Sequence, residues 1–248
     1  MTESTEEDVE KMKDIGGGSC HDAATSAPLI HEVVTPLATY APWKADADFI
    51  SLFNMLKPFT LVDHYRCFEL WHLIEQCSKL DEGAIIEVGV WRGGTGALLA
   101  SKARLCNITD PVYLCDTFRG VVKASGKDSS YKGSEHDDTS VELVMQLINA
   151  LKLRNVYILE GTFPEETADL LGDIKVRFSH IDVDVYNSAR DAMEWIWPRM
   201  RPGGIVVFDD YGFKGCDGVT KYVEEQKHLR DRLIIHNLNG HAVVVKLG

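Results

Sequence analysis

Short apolar runs alternate with amphipathic stretches along most of the chain. Seven runs of three to five residues, bounded by polar or turn residues, are predicted as strands at 84–88, 112–115, 156–159, 178–181, 204–208, 233–235 and 242–246. Stretches with apolar residues at helical spacing lie between most of them and predict helices at 93–105, 141–151, 165–171, 189–200 and 217–228. Such alternation is typical of an α/β fold built on a parallel sheet.

The order of the elements also predicts how the strands run. Residues 178–208 form a strand–helix–strand unit, which is almost always right-handed and makes its two strands parallel. Only the turn 237–240 separates the last two strands, so they are predicted to pair antiparallel. We therefore expect a mostly parallel seven-stranded sheet with an antiparallel closing strand.

The residues before the first strand have a different character. Residues 1–27 are rich in acidic, small polar and glycine residues, and we expect a disordered tail there. Residues 28–80 are predicted to form an arm and a helical cap, with one helix near 48–57 and a longer one whose apolar stripe ends at Cys77. The remainder, 81–248, is predicted to form the α/β domain.

Composition narrows the class of protein. The 248 residues carry a formal net charge of −12, which argues against a nucleic-acid partner because such a partner selects a basic face. The six cysteines show no paired C-x-x-C spacing, as is typical of reduced thiols in a cytoplasm. No apolar stretch is long enough to span a membrane, and the acidic N-terminus does not resemble a signal peptide. We expect a cytoplasmic protein.

Two predicted strands end in acidic residues. Asp182 and Asp184 follow the strand 178–181, and Asp209 and Asp210 follow the strand 204–208. Because the carboxyl ends of parallel strands meet at one edge of a sheet, the four carboxylates are expected to lie together, where α/β folds bind ligands. Oxygen ligands of this kind suit Mg²⁺ or a similar divalent cation. A simpler interpretation is that some of these aspartates only cap helices.

A glycine-rich turn follows the first predicted strand. Gly89, Gly93 and Gly94 allow a tight turn and close approach of the backbone to a ligand at the start of a helix. Asp116 ends the second strand, where a carboxylate can accept hydrogen bonds from a ribose diol. Glu87 lies inside an apolar strand and needs a partner, either the ammonium group of a ligand or a basic residue such as Arg92. A ribose, an ammonium and a carboxylate together describe S-adenosylmethionine.

Four motifs together resemble the macrocin O-methyltransferase (TylF) family over roughly residues 55–246. They are Glu87-Val-Gly-Val-Trp-Arg-Gly-Gly94, Asp116-Thr-Phe-Arg-Gly120, Asp182-Val-Asp-Val-Tyr186, and Pro202-Gly-Gly with Asp209-Asp210-Tyr211. The resemblance implies a Rossmann-like class I methyltransferase fold. It also implies an S-adenosylmethionine- and Mg²⁺-dependent O-methyltransferase that acts on a small-molecule hydroxyl, expected to be a sugar of a glycosylated secondary metabolite, and it implies a homodimer or higher homo-oligomer.

The resemblance also assigns roles to individual positions. The residues implied to contact the cofactor are Thr60, Glu87, Gly89, Thr95, Asp116, Arg119, Gly161, Thr162, Phe163 and Asp182. Those implied to hold the metal are Asp182, Asp209 and Asp210, and Asp184 is the implied general base. Glu135 and His136, in the long polar loop 121–138, are rival bases, and this loop is a candidate lid.

Two other functions remain open from the sequence. A metal-dependent hydrolase could use the same aspartates, and a non-catalytic S-adenosylmethionine-binding paralogue could keep the cofactor site alone. The loop 121–138 and the segment 241–246 depart from the family pattern, which leaves the acceptor undetermined.

Overall fold

A seven-stranded sheet runs through the centre of the described chain, in the order β3-β2-β1-β4-β5-β7-β6. Its strands are β1 Ala84–Val88, β2 Val112–Asp116, β3 Val156–Glu160, β4 Val176–Ile181, β5 Met200–Phe208, β6 Arg232–Asn237 and β7 His241–Lys246. The first five strands pair in parallel, and β7 pairs antiparallel with both β5 and β6. The predicted sheet with an antiparallel closing strand is therefore confirmed.

The computed structural model describes residues 29–35 and 37–248, and residues 31–248 form one unit by their contacts. The predicted disordered tail, 1–27, lies outside the described residues. Within the described ranges, no helix combines the length and the apolar character needed to cross a membrane.

Six α-helices lie in the described part of the chain: α1 Ala47–Leu56, α2 His64–Cys77, α3 Gly94–Leu105, α4 Val141–Ala150, α5 Tyr186–Ile196 and α6 Asp217–Gln226. Asp46, Asp63 and Ser140 begin three of them by accepting hydrogen bonds from backbone amides of the first turn. Such caps stabilise a helix by about 1 kcal/mol. They explain why α1, α2 and α4 begin where they do.

Two predicted elements differ from the observed ones. The helix predicted at 165–171 is instead a series of turns with a 3-10 segment, Ala168–Leu170, because the amides of Leu170 and Leu171 bond to carbonyl oxygens three residues earlier, and not four. The helix predicted to reach residue 200 stops at Ile196 and passes into the 3-10 segment Trp197–Arg199, where Pro198 has no amide hydrogen to continue it. Strand β5 consequently starts at Met200, before the predicted residue 204.

Both faces of the sheet are covered. Ile85, on one face, packs in a core cluster with α1, α2, α3 and α4, whereas Ile86, the next residue, packs in a second cluster with α5 and α6. Strands that are buried on both faces have continuous apolar sequences, which explains why the sequence pattern predicted the positions of these strands. Helices α1 and α2 share the first cluster with the sheet, and the division into a cap at 28–80 and a domain at 81–248 stays a prediction.

Two glycines bring separate segments together at the carboxyl edge of the sheet. Gly89 has φ +87°, and a Cβ there would lie 1.6 Å from the carbonyl oxygen of Asp182. A Cβ on Gly94 would lie 2.5 Å from the carbonyl oxygen of Phe59. Any side chain at either position would force the segments apart, so the turn after β1 is fixed against the end of β4 and against the cap residues before Thr60.

Candidate active site

A cavity of about 360 Å³ opens at the carboxyl ends of β1, β2, β4 and β5. Its walls come from the glycine turn after β1, the residues after β3, the loop 121–138 and the cap segment 59–62. Most of the residues predicted for the site line this cavity: Thr60, Gly89, Thr95, Asp116, Gly161, Thr162, Phe163, Asp182, Asp184, Asp209 and Asp210. The topology therefore brings together residues that lie up to 150 positions apart in the sequence.

Three carboxylates form one end of the cavity; two are buried (Asp209 and Asp210) and one is half-buried (Asp182). Asp182, Asp209 and Asp210 each contribute an oxygen, and these oxygens lie within 4.8 Å of one another. Burial and the negative charge of neighbouring aspartates raise the pKa values of Asp182 and Asp210 well above the usual range. Neither has an ion-pair partner among residues 29–35 and 37–248, so the cluster has the donor chemistry and the unbalanced charge of a divalent cation site.

Asp209 differs from the other two because it already has cationic neighbours. One carboxylate oxygen accepts hydrogen bonds from His241 Nε2 at 2.8 Å and His180 Nε2 at 3.4 Å, and the other pairs with Arg66. Although burial opposes ionisation, these hydrogen bonds and the positive charges hold the pKa of Asp209 well below its usual range. Arg66, His180 and His241 were not predicted from the sequence. The one feature that could have indicated them is His180, a polar residue inside the apolar run 178–181.

Glu87 has a protein partner that was not predicted from the sequence. It is fully buried in β1 and lies outside the lining of the cavity, with Oε1 bound to His180 Nδ1 at 3.0 Å. Arg92, the alternative partner, instead pairs with Asp138 at 2.5 Å. Glu87 and His180 lie directly opposite each other in the β1–β4 register, which explains why they pair.

Arg119 also lies away from the place implied for it. Its side chain is exposed and is not part of the cavity lining in the described structure, whereas its neighbours Thr117 and Gly120 are. The residue follows Phe118, whose backbone has φ 52°, and this turn carries Arg119 outward.

Asp116 holds the glycine turn as well as facing the cavity. Its Oδ2 accepts hydrogen bonds from Val90 N at 2.6 Å and Trp91 N at 2.8 Å, and its Oδ1 accepts one from Phe118 N at 2.7 Å. A carboxylate can accept about four hydrogen bonds, so these three leave room for one ribose hydroxyl. The turn after β1 and the end of β2 are therefore joined by the residue predicted to bind the ribose.

We predict that Asp116→Ala weakens binding of S-adenosylhomocysteine by about 1–3 kcal/mol or more and also lowers the melting temperature. The variant leaves Val90 N and Trp91 N without their acceptor, at about 1–3 kcal/mol for each stranded donor. Calorimetry gives the affinity, and thermal melting gives the stability. Asp173→Ala, at an exposed position, is the control. Weaker binding with an unchanged melting temperature would contradict the structural role.

Asp184 faces the cavity next to the carboxylate cluster. Its backbone amide donates to Asp210 Oδ2 at 3.0 Å, and its carboxylate contacts the Tyr131 hydroxyl and, at 3.9 Å, Cys216 Sγ. Burial raises the pKa of Asp184, and the hydrogen bond from Tyr131 opposes that rise. The position of Asp184 suits a group that accepts a proton from a ligand in the cavity.

The loop 121–138 is anchored over the cavity. Asp128 accepts hydrogen bonds from Ser125 N at 2.8 Å and from Tyr186 N, at the start of α5, at 2.9 Å. Tyr131 and His136 line the cavity. Glu135 instead accepts hydrogen bonds from the backbone amides of two residues in its own loop, and it lies outside the described cavity lining. Of the two rival bases, only His136 faces the cavity in the described structure.

Proteins of similar sequence are named as O-methyltransferases. A rhamnosyl-tetracenomycin C 4'-O-methyltransferase from Streptomyces olivaceus is 32% identical over 152 residues, covering 56% of this chain and 58% of that protein. Mycinamicin III 3''-O-methyltransferase from Micromonospora griseorubida is 24% identical over 190 residues, covering 71% of this chain and 74% of that protein. Demethyldecarbamoylnovobiocin O-methyltransferase from Streptomyces niveus is 29% identical, with 64% of each chain covered. The chain thus spans less than two thirds of the first and third of these relatives.

Solved structures show the same fold. The O-methyltransferase NovP superposes with a TM-score of 0.59 at 25% identity, covering 71% of this chain and 78% of that chain. The calicheamicin methyltransferase CalS11 gives a TM-score of 0.63 at 15% identity, covering 85% of this chain and 95% of that chain, and supports the fold alone. The fold is that of the class I O-methyltransferases. Since the family model described as Macrocin-O-methyltransferase (TylF) matches residues 56–244, the chain belongs to the macrocin O-methyltransferase family.

Proposed function

We propose that the protein is an S-adenosylmethionine- and Mg²⁺-dependent O-methyltransferase that acts on a sugar hydroxyl of a glycosylated small molecule. The observation that carries the proposal is the meeting, in one cavity, of a glycine turn at a helix N-terminus and three carboxylates, two of which have no ion-pair partner in the described structure. The relatives are named for O-methylation of a rhamnosyl-tetracenomycin C, of mycinamicin III and of demethyldecarbamoylnovobiocin, and these names support the acceptor class.

The cofactor would lie along the edge of the sheet. Thr95, in the first turn of α3, and the amides around it can bind the methionine carboxylate, because a helix N-terminus favours anions. Asp116 would take the ribose, and Thr162 and Phe163 would face the adenine. When bound, S-adenosylmethionine supplies a methyl group activated by its sulfonium. Because this reagent is already electrophilic, the protein's task is to align the acceptor oxygen with it.

The metal would lie among Asp182, Asp209 and Asp210. When bound, Mg²⁺ polarises the acceptor oxygen and stabilises the negative charge that develops there. Its cationic neighbours hold the pKa of Asp209 well below the usual range, which favours the anion that a cation would bind. Asp182 and Asp210, which carry unbalanced charge, gain most from a cation.

Proton transfer would fall to Asp184. Its carboxylate lies on the cavity wall, two residues beyond Asp182, and it can accept the proton of the acceptor hydroxyl. Tyr131, His136 and Phe213 close the same end of the cavity and limit the access of water. No covalent intermediate with the protein is required, since the sulfonium is already a good electrophile.

Four other properties stay proposals. We propose self-association through the arm, where Ile30, Val33 and Leu37 are each more than 90% exposed. We also propose a cytoplasmic location and the cap and domain division given above. The loop 121–138 is proposed as the lid over the acceptor.

The proposal predicts methyl transfer from labelled S-adenosylmethionine to glycosylated acceptors in the presence of Mg²⁺. It also predicts that S-adenosylhomocysteine binds in EDTA, because the proposed cofactor contacts lie outside the carboxylate cluster. A panel of glycosides and calorimetry in EDTA test these points. Hydrolysis of the panel with no methyl transfer would identify a hydrolase. Cofactor binding with no transfer to any member would favour the non-catalytic paralogue, and no binding in EDTA would contradict the separation of the two sites.

A further inference from the structure

A row of alternating carboxylates and imidazoles passes through the protein beneath the cavity. Glu87 Oε1 lies 3.0 Å from His180 Nδ1, and His180 Nε2 lies 3.4 Å from Asp209 Oδ1. On the other side, His241 Nε2 lies 2.8 Å from the same oxygen of Asp209, and His241 Nδ1 lies 2.6 Å from Glu69 Oε2. Asp209, a proposed metal ligand, is thus the middle member of the row.

Each imidazole in the row contacts a carboxylate through both ring nitrogens. A neutral imidazole has one donor and one acceptor nitrogen, whereas a carboxylate accepts only, so both nitrogens of His180 and of His241 must donate. Both groups are fully buried, so their positions are fixed by these contacts rather than by solvent.

The outer end of the row is fixed by the turn between β6 and β7. Glu69, on α2, accepts hydrogen bonds from the side chains of Asn237 and Asn239, the second at 2.9 Å. Asn239 also accepts a hydrogen bond from His241 N at 3.0 Å. The imidazole of His241 is therefore restrained by its own backbone, by the turn before it and by a carboxylate on a separate helix.

Arg66 approaches Asp209 from the opposite side. It lies one helical turn before Glu69 on α2 and pairs with Oδ2 of Asp209, while His241 donates to Oδ1. The Arg66 guanidinium also lies 4.7 Å from the centre of the Phe213 ring. Arg66 thus holds Oδ2 of Asp209 and the two histidines hold Oδ1, and loss of His241, the closer donor to Oδ1, would let the carboxylate rotate toward Arg66.

We propose that His241, held by Glu69, is a positioning residue that orients the carboxylate of Asp209 toward Asp182 and Asp210 for metal binding. The proposal rests on the proposed function, since it takes the carboxylate cluster as the metal site. Removal of His241 would change the orientation of the Asp209 carboxylate and leave its negative charge in place. Partners that orient metal ligands typically contribute 10- to 100-fold in metal affinity.

Titration of the full chain with Mn²⁺, followed by calorimetry and by the spin-resonance signal of the free ion, tests the proposal. His241→Leu removes the donor and is expected to weaken Mn²⁺ binding about 10- to 100-fold. His241→Gln places an amide donor near the position of Nε2 and is expected to bind within about threefold of the wild type, a small fraction of the effect of removing the donor. His228→Leu, at an exposed position, is the matched control and is expected to bind as the wild type does.

Melting temperature and S-adenosylhomocysteine affinity show whether each variant is folded. If His241→Leu does not fold, the glutamine variant alone decides, because an affinity as tight as that of the wild type supports orientation and a tenfold loss overturns it. If His241→Leu binds Mn²⁺ as tightly as or more tightly than the wild type does, the histidine does not orient Asp209 for metal binding. That result would overturn the proposal. Absence of Mn²⁺ binding by the wild type would instead remove the proposed metal site, and this inference with it.

Discussion

Asp210→Asn is expected to abolish methyl transfer while S-adenosylhomocysteine still binds within about twofold of the wild type. The variant removes one of the three carboxylates that would hold the cation, and a bound cation stabilises the transition state by several kcal/mol. Each 1.36 kcal/mol corresponds to a factor of ten, so we expect kcat/KM to fall by about 10³-fold or more. The measurement is transfer of labelled methyl at saturating Mg²⁺, with cofactor affinity measured by calorimetry in EDTA.

The same substitution should stabilise the metal-free protein. Burial and neighbouring negative charge raise the pKa of Asp210, so ionised Asp210 is unfavourable in the folded state when no cation is present. Asparagine keeps the shape and removes the charge, and a gain of 1 kcal/mol raises the melting temperature by about 2–4 °C in a chain of this size. Asp173→Asn, at an exposed position, should change neither activity nor melting temperature. Full activity of Asp210→Asn in EDTA would refute the metal mechanism.

Asp184→Asn is expected to lower kcat by about 10²- to 10⁴-fold, the usual loss when a general base is removed. Metal dependence and Mn²⁺ affinity should persist, because the three proposed ligands are unchanged. Partial recovery at higher pH is expected as solvent hydroxide replaces the missing base. In the wild type, burial raises the pKa of Asp184, and the base must be ionised, so the rate should fall on acidification at a higher pH than for an ordinary aspartate.

A parallel set of variants separates Asp184 from the loop. His136→Ala tests the rival base that faces the cavity, and Glu135→Gln tests the residue that holds the loop backbone. Matched melting temperatures exclude a folding defect. If Asp184→Asn keeps nearly full activity while His136→Ala is inactive, the base lies in the loop and the assignment of Asp184 is wrong.

The acidic edge of the sheet could be predicted because it depends on local patterns. An apolar run that stops in an aspartate marks a buried strand and its carboxyl end together, and parallel pairing then brings Asp182 and Asp209 to one edge. The glycine turn was equally local, since its glycines follow the first strand directly in the sequence. Neither inference needed the order of the strands.

The partners of the buried charges could not be predicted in this way. Glu87 pairs with His180 because β1 and β4 are neighbours and their register places the two residues opposite each other. The sequence of either strand alone does not determine that register. Arg66 contacts Asp209, which lies 143 positions away in the sequence. The helix that carries Arg66 was predicted from its apolar residues alone, and its polar residues were given no role. The helix predicted at 165–171 was wrong for a different reason, because apolar spacing over so short a segment does not distinguish an α-helix from the 3-10 segment that forms there.

The order of strands β5, β7 and β6 has a consequence for how the site is assembled during synthesis. Strand β7 follows β6 in the chain but lies between β5 and β6, so the sheet stays open at this place until β7 enters. A nascent chain that ends at residue 240 already contains all the proposed metal ligands, yet it lacks His241, which lies opposite Asn237 in the hairpin. Long-range contacts of this kind form late in folding. Asp209 therefore acquires its direction only when the hairpin closes, and metal capture should be among the last steps of maturation.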